Sequence, residues 1–269
     1  MILRTRQNGN KNGRQIHKEK TLLVLDWLLE FGFSSYELLA RVLESPAAAN
    51  QSRFFNTLVR DSLVQVFSNV HTAHCRLVHL RRGGVDFLAG CGRDVSRART
   101  RTGWMGYYST ILHDLGVQNC VLNRREQYQQ VRYEWHLRWK GNRPDAILYS
   151  SEGDYWSALE YERSRKSRLR VFESFLSNWK HIQEKRFAGV VYTFQRKPDM
   201  AIYQQQFSEM EWPIPKRGGD KKLRDSGRVL SGERLEKIKK RFVLRFEPFW
   251  LTRGEREFEH LALVTTTKN

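Results

Sequence analysis

The chain has 269 residues, 47 of them Lys or Arg and 29 Asp or Glu, which gives a net charge of +18 and a pI near 10.1. Hydrophobic residues are 40% and aromatics 12% of the total, too many for wholesale disorder and enough, at this length, for one large domain or two small ones. Such a charge selects polyanions, nucleic acid before an anionic membrane surface, and there is no apolar run long enough to span a bilayer.

The N-terminal stretch MILRTRQNGNKNGRQIHKEK is basic and lacks the apolar core of a signal peptide. Residues 1–19 read as a flexible basic arm. Cys75, Cys91 and Cys120 are too few and too scattered for a disulfide framework, and no CxxC pair occurs, so a reduced cytoplasm is the expected compartment.

From Lys20 the pattern becomes apolar. Leu22, Leu23, Leu25, Trp27, Leu28, Leu29 and Phe31 predict a helix that stops at Gly32. Ser34 with Glu37 has the spacing of a capping box and opens a second helix through about Leu43. A third helix is expected from Asn50 to Leu63, with Phe54, Phe55, Leu58, Val59 and Leu63 inward and Asn50, Gln51, Arg53, Asn56, Thr57 and Arg60 outward. The runs LVQVFS and CRLVHLR then read as two strands, and GGVDFLAG as a short helix. Three helices followed by a two-stranded hairpin is the order of a winged helix-turn-helix over residues 20–91. In such modules the recognition helix enters the major groove, where Asn and Gln pair with adenine and Arg with guanine. The outward residues Asn50, Gln51, Arg53, Asn56 and Arg60 are therefore the candidate DNA readers. His71, His74 and His79 read as solvated wing histidines.

Residues 92–104, GRDVSRARTRTGW, are polar and rich in arginine and read as a linker. A second, α/β domain is expected over 105–269. It should comprise a helix near 105–115 bearing His113, a strand at 117–122, a strand at 131–139, the strands PDAILYS and WSALEYE, the helix SRLRVFESFLSNWKHIQEK and the strand FAGVVYTFQ. Tyr107 and Tyr108 belong with the core or a cap. The tail beyond 200 carries a basic segment, Lys216–Arg245, that includes the run KIKKR.

The sharpest chemical signal is Pro144-Asp145 followed by Glu160-Tyr161-Glu162. Alternate side chains of a strand share a face, so Glu160 and Glu162 project together. If 145–149 pairs with 156–162 as a hairpin, Asp145 joins them. Three carboxylates repel one another unless a cation intervenes, and a hard divalent ion, Mg²⁺ or Mn²⁺, suits carboxylate oxygen. Asp145, Glu160 and Glu162 are the candidate metal ligands. Arg163, Arg165, Lys166, Arg168 and Arg170 follow at once and are placed to hold a phosphodiester. There is no phosphate-binding GxxxxGK[ST] loop and no GxSxG motif.

Asp, then Glu-x-Glu, in this order of elements resembles the PD-(D/E)xK nuclease superfamily. The chain departs from that pattern at Glu162, which stands where the family has lysine, and Lys166 is in place to supply the cation instead. With the N-terminal helix-turn-helix, residues 20–195 are similar to MOBC-type plasmid mobilization relaxases and their replication-relaxation relatives. That resemblance rests on the helix-turn-helix region, the helix with His113, Pro144-Asp145 and Glu160-x-Glu162 followed by Lys166. It implies a metal-dependent endonuclease that nicks double-stranded plasmid DNA at an origin of transfer for conjugation. Asp145, Glu160, Glu162, Lys166 and His113 would be catalytic, and Arg163 and Arg165 would join the DNA contacts. Relaxosome accessory proteins and a coupling protein are the implied partners, without membrane insertion. The alternatives are a restriction or transposon endonuclease, or a DNA-binding accessory protein with a degenerate nuclease fold.

Overall fold

A computed structural model describes residues 12–68, 76–101, 108–150 and 152–249. His71, His74, Cys75 and Tyr107 lie outside the described residues. The fold is mixed α+β, with eight α-helices and three sheets among the described residues. It divides into two compact units near residue 123/124. No described helix is long and apolar enough to cross a membrane.

The first unit begins with α1 (Gly13–Phe31). This helix starts well inside the expected flexible arm. Asn12 accepts from the Gln15 N–H at 2.9 Å and Gln15 accepts from the Asn12 N–H at 3.2 Å. That reciprocal pair is a capping box hidden in a stretch that charge alone marks as disordered. The helix stops at Gly32, whose φ of +80° suits glycine and whose N–H closes on the Leu28 carbonyl at 2.8 Å.

Strand β1 (Phe33–Ser35) and helix α2 (Tyr36–Val42) follow. The cap of α2 is Ser35, accepting from the Leu38 N–H, and not Ser34 as the capping-box spacing suggests. A 3-10 turn over Ala48–Gln51 leads into α3 (Ser52–Arg60), shorter than expected at both ends. Strands β2 (Val64–Phe67) and β3 (Leu77–Leu80) fall where the sequence places them, and α4 (Arg82–Gly90) follows. The three strands form an antiparallel sheet in the order β1-β3-β2. Its core includes Trp27, Leu28 and Phe31 of α1, Leu58 of α3, and Leu77 and Leu80 of β3, all with no exposed surface.

The largest departure is α5 (Tyr108–Asn123), which belongs to this first unit. The expected strand at 117–122 is the second half of this helix. Gln118 explains why: it is fully buried, its Oε1 accepts from Trp27 Nε1–H at 2.8 Å and from the Ser34 hydroxyl at 2.7 Å, and its Nε2 donates to the Phe33 carbonyl at 2.9 Å. Arg41 adds bonds to Asn119 and Asn123. Polar residues one helical turn apart thus dock α5 on α1, β1 and α2. The start of the expected linker is also anchored, since Arg93 clasps Asp26 of α1 through two bonds of 3.0 Å.

The second unit contains β4 (Gln130–Tyr133), β5 (Ala146–Ser150), β6 (Tyr155–Glu162), α6 (Arg168–Gln183), β7 (Gly189–Phe194), α7 (Lys197–Ser208), β8 (Glu211–Arg217), β9 (Leu223–Ser231), α8 (Gly232–Lys239) and β10 (Phe242–Phe246). Five strands form a mixed sheet in the order β10-β7-β6-β5-β4. Central β6 is antiparallel to β5 and parallel to β7, and β7 is parallel to β10. The expected strand at 131–139 ends at Tyr133, and a 3-10 turn over Glu134–His136 replaces the rest.

Phe172, Phe175 and Asn178 of α6 are buried against the sheet, with Phe175 stacked on Trp212 at 5.0 Å. Arg124 at the start of the unit is buried and pairs with Glu247, just beyond β10, while reaching the Thr193 hydroxyl.

Gln118→Leu should therefore leave the Trp27 indole, the Ser34 hydroxyl and the Phe33 carbonyl without their partner. Each unmet buried group costs about 1–3 kcal/mol. The expected result is a loss of roughly 3 kcal/mol in denaturant unfolding, with the denaturant slope little changed.

Candidate functional site

The site sits where β5 begins, β6 ends and α6 starts. The antiparallel ladder pairs Ala146 with Leu159, so one step further brings Asp145 opposite Glu160. Asp145 Oδ2 accepts from the Tyr161 N–H at 2.7 Å, which ties the aspartate to the end of β6. Glu160 and Glu162 share one face of β6 by strand alternation. On that face lie Ala158 and, from β7, Tyr192 and Phe194, all packed beneath α6.

Each glutamate meets one side-chain donor. Asn178 Nδ2 donates to Glu160 Oε1 at 2.7 Å and also to the Tyr192 hydroxyl at 2.8 Å, which lies 2.8 Å from the Ser174 hydroxyl. Lys166 Nζ donates to Glu162 Oε1 at 2.6 Å. Glu162 is almost fully buried and Lys166 partly so. Tyr203 of α7 is buried beside Glu162, and its hydroxyl forms no hydrogen bond of good geometry among the described residues.

The electrostatics follow from crowding acids under a helix. Glu160 is pushed up to about 8, first by burial and then by Asp145, against the opposing pull of Lys166 and Asn178. Burial lifts Glu162 as well, even with Lys166 in contact. Burial opposes the charge on Lys166, but Glu162 and Glu160 together raise its pKa, so it stays an ammonium. Burial and the neighbouring glutamates raise Tyr192 and Tyr203, which remain neutral phenols.

The hairpin, the shared face of the two glutamates and the closeness of Lys166 are as expected from sequence. Asp145, Glu160 and Glu162 lie close enough to raise one another's pKa. Glu162 is engaged by Lys166, and no group of three or more His, Cys, Asp or Glu among the described residues is arranged to hold a metal ion. Of the neighbouring charges, Asp145 acts most strongly on Glu160.

His113 lies on α5 of the first unit. Arg163 Nε donates to Gln195 Oε1 at 2.7 Å beside the site, and Arg165 is exposed. Among the expected DNA readers, Asn50, Arg53, Asn56 and Arg60 are exposed. Arg60 pairs with Asp61, and Gln51 accepts from Lys20 Nζ at 3.1 Å.

Asn178, Ser174, Tyr192 and Tyr203 were not singled out from the sequence. One signal was present for Asn178. It falls on the apolar stripe Val171, Phe175, Asn178, Ile182 of α6, where a polar residue must have a buried partner. No family model matches the chain, and no match was found among curated proteins or solved structures.

The raised Glu160 makes stability depend on pH. The folded protein holds this proton up to about pH 8, whereas an unfolded glutamate releases it near 4.3. Its contribution is fully present below the unfolded pKa and is lost as pH rises through the folded one. Wild-type stability should therefore decline from pH 5 to pH 8. Glu160→Gln keeps the Asn178 acceptor without the ionisation and should flatten that decline, as read by thermal unfolding across the range.

Proposed function

We propose that the second unit cleaves one strand of DNA in a divalent-metal-dependent reaction, as a nuclease of the PD-(D/E)xK type, and that the first unit binds the duplex as a winged helix. The observation that carries the reading is the Asp145–Glu160 pair at the end of a buried central strand, with the Lys166 ammonium held beside it.

The donor set fits a hard cation. Asp145 and Glu160 offer carboxylate oxygen; burial first and then repulsion from Asp145 keep Glu160 protonated, and such an ion would offset both. Mg²⁺ or Mn²⁺ held there would polarise a phosphodiester and make water more acidic. The chain's own residues have distinct tasks. Asp145 and Glu160 bind, with Asn178 orienting Glu160. Glu162 holds Lys166 in place, and Lys166 faces developing negative charge on the phosphate. Arg163, fixed by Gln195, and exposed Arg165 approach the backbone.

The helix–strand–helix–helix–strand–strand order of the first unit, its antiparallel β1-β3-β2 sheet and the exposed Arg53 and Asn56 on α3 support the winged-helix reading. Nicking at a plasmid origin of transfer, as a relaxase acting in the cytoplasm with relaxosome and coupling partners, remains the biological role proposed for this chemistry. A second reading has its own support. Glu162 is bonded to Lys166, and no group of three or more His, Cys, Asp or Glu among the described residues is arranged to hold a metal ion, which suits a DNA-binding accessory protein that has lost cleavage.

Supercoiled DNA incubated with the protein and Mg²⁺ or Mn²⁺, with and without EDTA, separates the two. Metal-dependent conversion to relaxed circles supports the nuclease, a linear product points to a restriction-type cut, and unchanged supercoils with retained binding support the accessory protein. In the nuclease case Asp145→Ala and Glu160→Ala abolish nicking while leaving affinity nearly intact. Lys166→Ala slows single-turnover cleavage more than it weakens binding. A lysine that touched only backbone phosphate would instead weaken binding to all sequences and lower the salt slope by about one.

The recognition reading predicts that Arg53→Ala/Asn56→Ala costs roughly 1–3 kcal/mol per lost base contact on a cognate site and little on scrambled duplex. Equal affinity ratios for wild type and variant would remove α3 as the reader.

A further inference from the structure

Strands β8 and β9 form a separate two-stranded ribbon laid along the outside of α6. At its base Trp212 and Leu230 are paired and buried in the core. Beyond an irregularity between Pro213 and Pro215, the partners are Pro215 with Asp225, Lys216 with Arg224 and Arg217 with Leu223. Alternation puts these pairs on opposite faces in turn. Arg217 grips Glu173 of α6 through two bonds of 2.9 Å, and Asp225 acts on Arg168 at the start of α6. The pairs containing Arg217 and Asp225 therefore face the helix, and Lys216 with Arg224 faces away.

Charge is sorted by this arrangement. Asp225 and Glu173 lie on the inner side. The outer side and the tip carry exposed Lys216, Lys221, Lys222 and Arg224, and Arg228 is exposed in the irregular stretch of β9. Arg224 bonds Asp220 at 2.9 Å. Among the described residues no carboxylate pairs with Lys216, Lys221, Lys222 or Arg228. Two like charges directly across a ladder, as in Lys216 and Arg224, cost stability in an isolated ribbon. A polyanion on that face removes the cost.

We infer that the outer face of the β8–β9 ribbon is a second DNA-gripping surface, which holds duplex phosphates beside the Asp145–Glu160 site. This rests on the DNA reading proposed above. A two-stranded ribbon is narrow enough for the major groove, and Lys216 and Arg224 face each other across its strands with Lys221 and Lys222 in the turn beyond. The ribbon is fastened to the part of α6 that follows Lys166 directly. Arg168 bonds Glu209 just ahead of β8, and Glu173 is only about 8 Å along the helix from Arg168. A duplex held on the ribbon is thereby kept next to the reactive groups, with no base contact required.

The test is equilibrium binding of the full chain to a short random-sequence duplex, in EDTA, at several salt concentrations. The ribbon variant is Lys216→Ala/Lys221→Ala/Lys222→Ala. All three positions are exposed, so folding is retained and circular dichroism checks it. The control, Lys180→Ala/Lys185→Ala/Lys237→Ala, removes the same charge from exposed positions elsewhere in the unit. In the ribbon variant the log–log salt slope should shrink by about three and the affinity should fall about tenfold or more, with the control close to wild type. Equal losses in both variants would reduce the effect to net charge and overturn the ribbon. A ribbon variant that matches wild type overturns the ribbon alone and leaves the proposed nuclease standing. A wild type that ignores the duplex, or prefers phosphatidylserine vesicles to it, overturns the DNA reading and the ribbon together.

Discussion

Two glutamates side by side on the covered face of a central strand set the terms for everything around them. Glu160 and Glu162 have aromatic neighbours and a helix above them, where water cannot hydrate them well. Burying carboxylates without donors costs several kcal/mol, so donors must be built in. Asn178 supplies one from the middle of α6, and Lys166 supplies the other from the turn before it. The helix therefore has to begin soon after β6 ends, and one position of its apolar face has to be an amide. Tyr192 and Tyr203 are kept neutral by the same crowding.

The parts of this arrangement that depend on period and local spacing were legible in the sequence. Strand alternation placed the two glutamates on one face, and the short SEGDY connection implied the β5–β6 hairpin that brings Asp145 to them. Lys166 was visible as a cation one turn beyond the acids. Asn178 and Tyr203 were not, because their role is defined by what they meet across the core. Only the break in the α6 apolar stripe hinted at the first. The boundary near residue 123 was hidden for the same reason. VQNCVL has strand-like valines, and its polar Gln118 and Asn119 look like surface until Trp27, Ser34 and Arg41 are seen to need them. Tertiary hydrogen bonds there override local propensity. At the N-terminus the error ran the other way. High charge suggested disorder, whereas the Asn12–Gln15 pair is a strong local helix start.

Glu162 deserves a different account from that of a missing lysine. The side chain at this position points into the niche whatever its identity, because strand alternation fixes its direction. With glutamate there, the cation arrives from the following turn and is held at 2.6 Å. The pair is nearly neutral, where a strand lysine would add a full positive charge. Glu160, buried and facing Asp145, is lifted to about 8 in spite of Lys166 and Asn178. On the proposed reading, a divalent ion and the proton on Glu160 compete for one carboxyl, so ion binding must release a proton below that pH.

In the second unit Asp145, Glu160 and Glu162 converge beside α6, while Arg165 on the turn after β6 and Lys216, Lys221 and Lys222 on the ribbon are exposed. A polyanion approaching such a surface is attracted at long range by the cations and repelled at short range by the niche. Attraction alone would bring a phosphate near without letting it settle against Asp145 and Glu160. Positive charge between phosphate and carboxylates resolves the conflict, and Lys166 supplies only part of it. On the proposed reading, the basic surface would concentrate DNA while Asp145 and Glu160 wait for a cation, so binding at the ribbon and chemistry at the five-stranded sheet are separable.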